Sequence, residues 1–149
     1  MSTIEISADR ARMDIDAIRA FLARSYWAEE IPREIVARAV ANSLCFGAFD
    51  DTAQVGFVRV VTDRATFAYV ADVYVLEEYR GRGISKAMMA AVRSHPDLRG
   101  LRRWHLATRD AHGLYRQFGF TALDNPDRHM ELVDPEVYLR VKRPAVDLP

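Results

Sequence analysis

Glu77-Glu78-Tyr79-Arg80-Gly81-Arg82-Gly83-Ile84-Ser85-Lys86-Ala87-Met88 joins two segments of opposite character. Residues 71–76, Ala-Asp-Val-Tyr-Val-Leu, form an almost unbroken apolar run of strand length, which predicts a buried strand. Residues 84–92 carry apolar side chains at helical spacing, which predicts a helix. The chain has 7 glycines and places two of them, Gly81 and Gly83, at this one junction. A tight turn that opens a helix leaves backbone N–H groups unpaired, and the helix dipole adds partial positive charge there. A phosphate or pyrophosphate is the natural occupant of such a place. Glycine permits unusual dihedrals and lets the backbone approach an anion with no Cβ between them. Arg80, Arg82 and Lys86 put formal positive charge around the same point, and Lys86 is one of only two lysines, the other being Lys142. The competing reading is an ordinary glycine turn with solvated charges.

Outward from the junction, the pattern predicts a chain of short elements. Residues 3–7 alternate as an edge strand, and residues 14–24 carry the helical stripe Ile15, Ile18, Phe21 and Leu22. The loop Ser25-Tyr26-Trp27-Ala28-Glu29-Glu30-Ile31 leads to Pro32 in the first turn of a second helix ending near Ala41. Residues 44–49 and 55–61 read as strands joined by a turn at Asp50-Asp51-Thr52, and residues 66–76 as a longer strand. The helix that follows stops at His95-Pro96. Residues 104–108 predict a strand, Asp110 a cap for a helix over 111–118, and Gly119 its end. Residues 120–123 and 129–133 predict closing strands. Early strands are neighbours with short turns, which favours a mixed α+β sheet over regular alternation.

Composition bounds the function. A chain of 149 residues fits one domain, residues 1–149, with a core over 3–133 and a tail over 134–149. The formal net charge is +0, so bulk electrostatics give no reason to expect nucleic acid or a membrane surface as partner. The single cysteine, Cys45, cannot form an internal disulfide framework, and its apolar neighbours Leu44 and Phe46 predict a buried thiol. No apolar stretch reaches membrane-span length, and residues 1–5 lack the basic and apolar regions of a signal peptide, so a cytoplasmic location is expected. His95, His105, His112 and His129 show no ligand spacing with acidic residues or Cys45, so no metal is expected.

The junction matches neither Gly-x-x-x-x-Gly-Lys-Ser/Thr nor Gly-x-Gly-x-x-Gly, because Ile84, Ser85 and Lys86 follow Gly81-Arg82-Gly83. It does resemble the acyl-CoA signature of the GNAT superfamily of N-acetyltransferases, Arg/Gln-x-x-Gly-x-Gly/Ala, through Arg80, Gly83 and Ser85. Ser85 departs from the usual Gly or Ala but is small enough to keep the loop close to phosphate. A second segment, residues 111–120, resembles the closing GNAT motif, a helical tyrosine followed by a turn into Gly-Phe: Tyr115, Gly119 and Phe120. The resemblance implies a mixed, mostly antiparallel sheet flanked by helices and splayed open between its fourth and fifth strands. It implies acetyl-CoA as co-substrate in the gap and transfer to a primary amine of a small molecule or peptide without a covalent intermediate. Backbone groups of Val73 and Val75 would hold the pantetheine arm. Amides of Arg80, Gly81, Arg82, Gly83, Ile84, Ser85 and Lys86 would hold the pyrophosphate, and Val73 N–H would face the oxyanion.

Such a reaction needs a neutral amine, a donor for the oxyanion and a proton for the leaving thiolate. Tyr115 matches the family's proton donor, its alternative role being a ring that packs the helix on the sheet. Asp72, the acidic residue in an apolar run, is either the general base or a hydrogen-bonded strand carboxylate that fixes a neighbouring loop. Tyr26, Trp27 and Glu30, with Glu29, lie on a loop that borders the acceptor pocket in the family. They would give aromatic walls and a carboxylate for a cationic amine, or else form an exposed connection. Arg99, Arg102 and Arg103 read as solvated surface or as a contact for the CoA 3′-phosphate. The tail has mixed charge and two uses, packing on the domain or binding a second copy as a homodimer. A catalytically silent acyl-CoA-binding module is the alternative to an enzyme.

Overall fold

The computed structural model describes residues 3–141. Five strands form one sheet in sequence order: β1 (Ile4–Ser7), β2 (Leu44–Asp50), β3 (Ala53–Thr62), β4 (Phe67–Val75) and β5 (Arg103–His105). The first four pair antiparallel and β4 pairs parallel with β5. The helices are α1 (Ile15–Leu22), α2 (Arg33–Ala41), α3 (Ile84–Ser94), α4 (His112–Arg116) and α5 (Val137–Val141). The mixed α+β sheet expected from the sequence is therefore present.

Hydrophobic pattern assigns the layers. The α1 stripe of Ile18, Phe21 and Leu22 and the α2 residues Val36 and Val40 pack on one face of the sheet with Cys45, Phe49, Phe57 and Tyr74. Ile84, Met88, Met89 and Val92 of α3 pack on the other face with Phe46, Val58 and Val60. β2 and β3 lie between two helical layers and are buried along most of their length, which is why they read as continuous rather than alternating runs. Burying each large apolar side chain contributes about 1.5–3 kcal/mol, so the four from α3 fix that helix, and with it its N-terminus, firmly against the sheet. Asp14 starts α1: its side chain accepts from the Ala17 N–H, and its own N–H donates to Gln54 Oε1 at 2.8 Å.

Two irregularities shape the functional region. The β3–β4 register shifts between Phe57, opposite Tyr74, and Arg59, opposite Ala71, so β4 carries one extra residue there. Asp72 sits in this bulge with φ 55, a left-handed conformation that aspartate tolerates better than most residues. The second irregularity is the splay. β5 pairs with β4 only through Phe67–Arg103, Ala68–Trp104 and Tyr69–His105, while β4 runs on to Val75 alone.

Several expected boundaries require correction. β5 ends at His105 rather than residue 108, because the splay removes β4 as a partner beyond Tyr69. Asp110 does not cap α4. Ala111 occupies the position before the helix and donates its N–H to Thr108 Oγ1 at 3.0 Å, while Asp110 lies 3.8 Å from Arg109. Residues 120–123 and 129–133 are not strands: among the described residues no neighbouring strand pairs with them. The part of the tail over 142–149 lies outside the described residues.

Candidate functional site

The splay between β4 and β5 opens a continuous cleft. One cavity of about 380 Å³ is bordered by Tyr26, Trp27, Asp72, Val73, Arg109 and Tyr115. A second, about 650 Å³, continues past Val73 and Val75 to Arg80, Gly83, Ser85 and Lys86. The two share Tyr26, Trp27, Val73 and Tyr115 as walls, so residues distant in sequence face one space.

At one end stands the N-terminus of α3. Gly81 and Gly83 have φ values of 79 and 75, the left-handed region that glycine enters without strain. A Cβ built at either would meet nothing within 4 Å, so conformation and an open approach, not crowding, call for glycine here. Among the described residues no side chain caps α3, and its first helical hydrogen bond runs from the Ala87 N–H to the Gly83 carbonyl. The earlier amides are thus free for an anion, and Lys86 stands beside them on the cleft wall. Arg80 turns back instead: its Nε–H donates to the Val75 carbonyl at 3.2 Å, which buttresses the end of β4. Arg82 does not line the cleft, because its guanidinium lies 4.9 Å from the Tyr79 ring centroid.

Where the two cavities meet stands Tyr115, 7% exposed, between the cleft and the core. Its helix is short but its exit is strongly specified. Gly119 takes φ 93, its N–H donates to the Arg116 carbonyl, and the Phe120 N–H donates to the Tyr115 carbonyl. These paired bonds form a Schellman motif, closed by the edge-on contact of Phe120 with the Tyr115 ring at 6.0 Å. The Gly-Phe pair therefore sets where Tyr115 points. Burial pushes the Tyr115 phenol up to about 12, so it holds its proton throughout the neutral range.

The cavity away from α3 is tied to the sheet through Asp72. Arg59 Nε–H donates to Asp72 Oδ2 at 2.7 Å and Trp27 Nε1–H donates to Oδ1 at 2.9 Å. The pair is largely enclosed, with side chains 22% and 10% exposed for Arg59 and Asp72. Both carboxylate oxygens are thus engaged, the arrangement of a strand carboxylate that fixes a neighbouring loop. Trp27 meets Tyr26 edge-on at 5.1 Å, and the Tyr26 hydroxyl accepts from the Arg109 N–H while its ring lies under the Arg109 guanidinium at 3.9 Å. The 25–31 loop and the segment after β5 are tied together across the cleft.

Glu30 is a correction: it does not line the cleft. It takes φ 64 at the loop's end, and its N–H donates to the Ala23 carbonyl at 2.9 Å. Arg102 and Arg103 border a different cavity with Arg93, separate from the one at the α3 N-terminus, so of the two readings the solvated surface fits them better. Arg59, Arg109 and Thr108 were not foreseen. For Arg59 a signal exists: it is the lone charge in the apolar run Val55–Val61, just as Asp72 is in the facing strand of the same hairpin.

Residues 41–122 match the family model described as an acetyltransferase (GNAT) domain. A candidate acetyltransferase of Gibberella zeae, FG08082, is 32% identical over 118 residues, covering 63% of this chain and 67% of that protein. A crystal structure of a candidate GNAT-family acetyltransferase from Xanthomonas campestris pv. campestris is 52% identical, with a TM-score of 0.89 over 93% of this chain and 98% of the other. A candidate acetyltransferase from Clostridium acetobutylicum, crystallised with acetyl-CoA, shares the fold at 17% identity and a TM-score of 0.63, covering 89% of this chain and 96% of that one. The chain belongs to the GNAT acetyltransferase family.

Proposed function

We propose that this protein transfers the acetyl group of acetyl-CoA to a primary amine of a small molecule or peptide, by direct attack within the β4–β5 cleft. The observation that carries the reading is the continuity of the cleft from the free amides at the start of α3, along Val73 and Val75, to the side chain of Tyr115. Acetyl-CoA supplies an activated thioester. The Clostridium acetobutylicum protein of the same fold, crystallised with acetyl-CoA, supports that choice. Amides at 82–86 would hold the pyrophosphate, and backbone groups of Val73 and Val75, beside the bulge that loosens the ladder, would hold the pantetheine arm. Val73 N–H would serve the developing oxyanion.

Tyr115 keeps a proton for the departing thiolate, a task matched to a phenol raised by burial. Cys45 sits in the α1–α2 core, its thiol pushed up to about 11 by burial, which supports direct attack over an acyl-cysteine. Tyr26 and Trp27 give the acceptor aromatic faces suited to an ammonium group before it loses its proton. Asp72 acts through Trp27: it is a positioning residue whose two bonds hold that wall. The test is acetyl-CoA consumption across a panel of primary amines, with acetylated product identified by mass and acetyl-CoA binding followed by calorimetry. Saturable turnover on an amine is expected. Binding with no turnover on any amine would favour the silent module instead.

A further inference from the structure

Among the described residues β5 pairs with β4 alone, so its outer row of backbone groups meets no strand. Such an edge is a template for another chain. Facing it are residues 120–123. Two cavities, about 590 and 380 Å³, share Trp104 on one wall and Phe120–Leu123 on the other, and together make a slot along β5 and its continuation to Thr108. Arg93, Arg102 and Arg103 line one end of the slot with Asp124. None of the three arginines has an ion-pair partner among the described residues; Arg93 lies over the Trp104 ring at 4.8 Å.

A segment able to add a strand in that slot stands on the same chain, out in solvent. Met130 is 97% exposed, Leu132 101% and Val133 62%. The segment is held at both ends: the His129 ring stacks on His105 at 5.9 Å, and Tyr138 packs against the α1–α2 core. Residues 130–137 therefore form an arch on the α1–α2 side, whereas the slot opens beside Arg93 of α3. The arch carries Glu131, which has no ion-pair partner among the described residues, and Asp134, which pairs with Arg140. Its apolar and acidic residues complement the apolar and basic lining of the slot.

We propose that residues 130–134 of a second copy lie in the slot and add a strand to β5, each copy supplying the arch that the other receives. A reciprocal exchange closes on a two-fold axis and covers both free edges and both arches at once, which a foreign peptide would not do. Tyr115 lines the slot as well as the cleft, so the second copy would complete the wall behind the reacting region.

Light scattering on the full chain tests this, with a dimer expected at about 100 µM, a concentration chosen because mass action favours association as concentration rises. Met130→Asp/Leu132→Asp should give a monomer with an unchanged circular dichroism spectrum, because both side chains stand in solvent in a single copy. Arg103→Glu should weaken the dimer by at least about tenfold, and adding Glu131→Arg should restore it. Hydrogen exchange on the wild-type chain reads the same contact should the double variant fold poorly. Amides at 104–106 and 130–133 should be protected in the dimer and lose protection on dilution. A wild-type monomer, a dimer that survives both aspartates, or a dimer with residues 130–133 unprotected would each overturn the proposal. Mass and exchange report nothing on acetyl transfer, so the outcome is independent of the proposed activity.

Discussion

At the scale of single residues, the proposed reaction assigns chemistry to Tyr115 and position to Asp72. Tyr115→Phe removes one hydroxyl and keeps the ring that meets Phe120, so the fold should persist. With the proton donor gone, kcat should fall roughly a hundredfold, within the range for losing a general acid, while KM for acetyl-CoA changes little. Unchanged kcat with chemistry shown to be rate-limiting would reduce Tyr115 to a packing residue. The same hydroxyl has a stability signature. Its ordinary value is near 10 and burial raises it to about 12, so the folded chain keeps a proton that the unfolded chain gives up. The stability this represents is complete below about pH 10 and lost as pH rises through about 12. The gap in denaturation midpoint between wild type and Tyr115→Phe should therefore shift against the wild type between about pH 10 and about 12. Tyr74 and Cys45, also raised by burial, contribute equally to both proteins and cancel. Asp72→Ala leaves Arg59 enclosed without its partner and places alanine at a left-handed position. It should cost about 3–5 kcal/mol, a fall of roughly 6–20 °C in Tm for a chain of this size. Asp72→Asn tolerates the same backbone and can still accept from Trp27, so it should raise the acceptor's KM mildly and alike at every pH. A loss of kcat that higher pH rescues would instead make Asp72 the base.

Among elements, the proposed function assigns one substrate to the start of α3 and the other to the loop between α1 and α2. Gly83→Asp tests the first. Aspartate enters the left-handed region more readily than most residues and its Cβ would meet no atom, so the fold should survive. The carboxylate would repel pyrophosphate at the free amides, and acetyl-CoA affinity should drop at least about tenfold, near 1.4 kcal/mol. Unaltered affinity by calorimetry would remove the anion from this place. Trp27→Ala tests the second. It deletes a wall bonded to Asp72, which of the two cleft cavities borders only the one without α3 residues, so KM for the amine should rise more than KM for acetyl-CoA. Equal rises would mean that the loop only supports the fold.

For the whole molecule, what could be read in the sequence was what local chemistry determines. The glycine junction, the α3 stripe and the Gly119-Phe120 exit are each complete within about ten residues, and each predicts its element; the cleft itself was expected only from the family resemblance. Asp72 was legible as an oddity but not as a partner, because its meaning lies in Arg59 and Trp27, met only once the hairpin and the bulge bring them together. Glu30 looked equivalent to Trp27 along the chain; a turn at φ 64 sends it elsewhere. The closing strands failed for a related reason: alternation marks a segment that can pair, and pairing needs a neighbour that residues 129–133 lack within the described chain. The central claim is that the β4–β5 cleft takes acyl-CoA with its pyrophosphate at α3 and its thioester near Tyr115. Amide chemical-shift mapping during titration of the ¹⁵N-labelled protein with acetyl-CoA tests it most directly. The account predicts the largest shifts at Gly81, Gly83, Ser85 and Lys86, with a second group at Val73, Val75 and Tyr115. Shifts confined to the Arg93, Arg102 and Arg103 cavity, with the α3 amides unmoved, would contradict it.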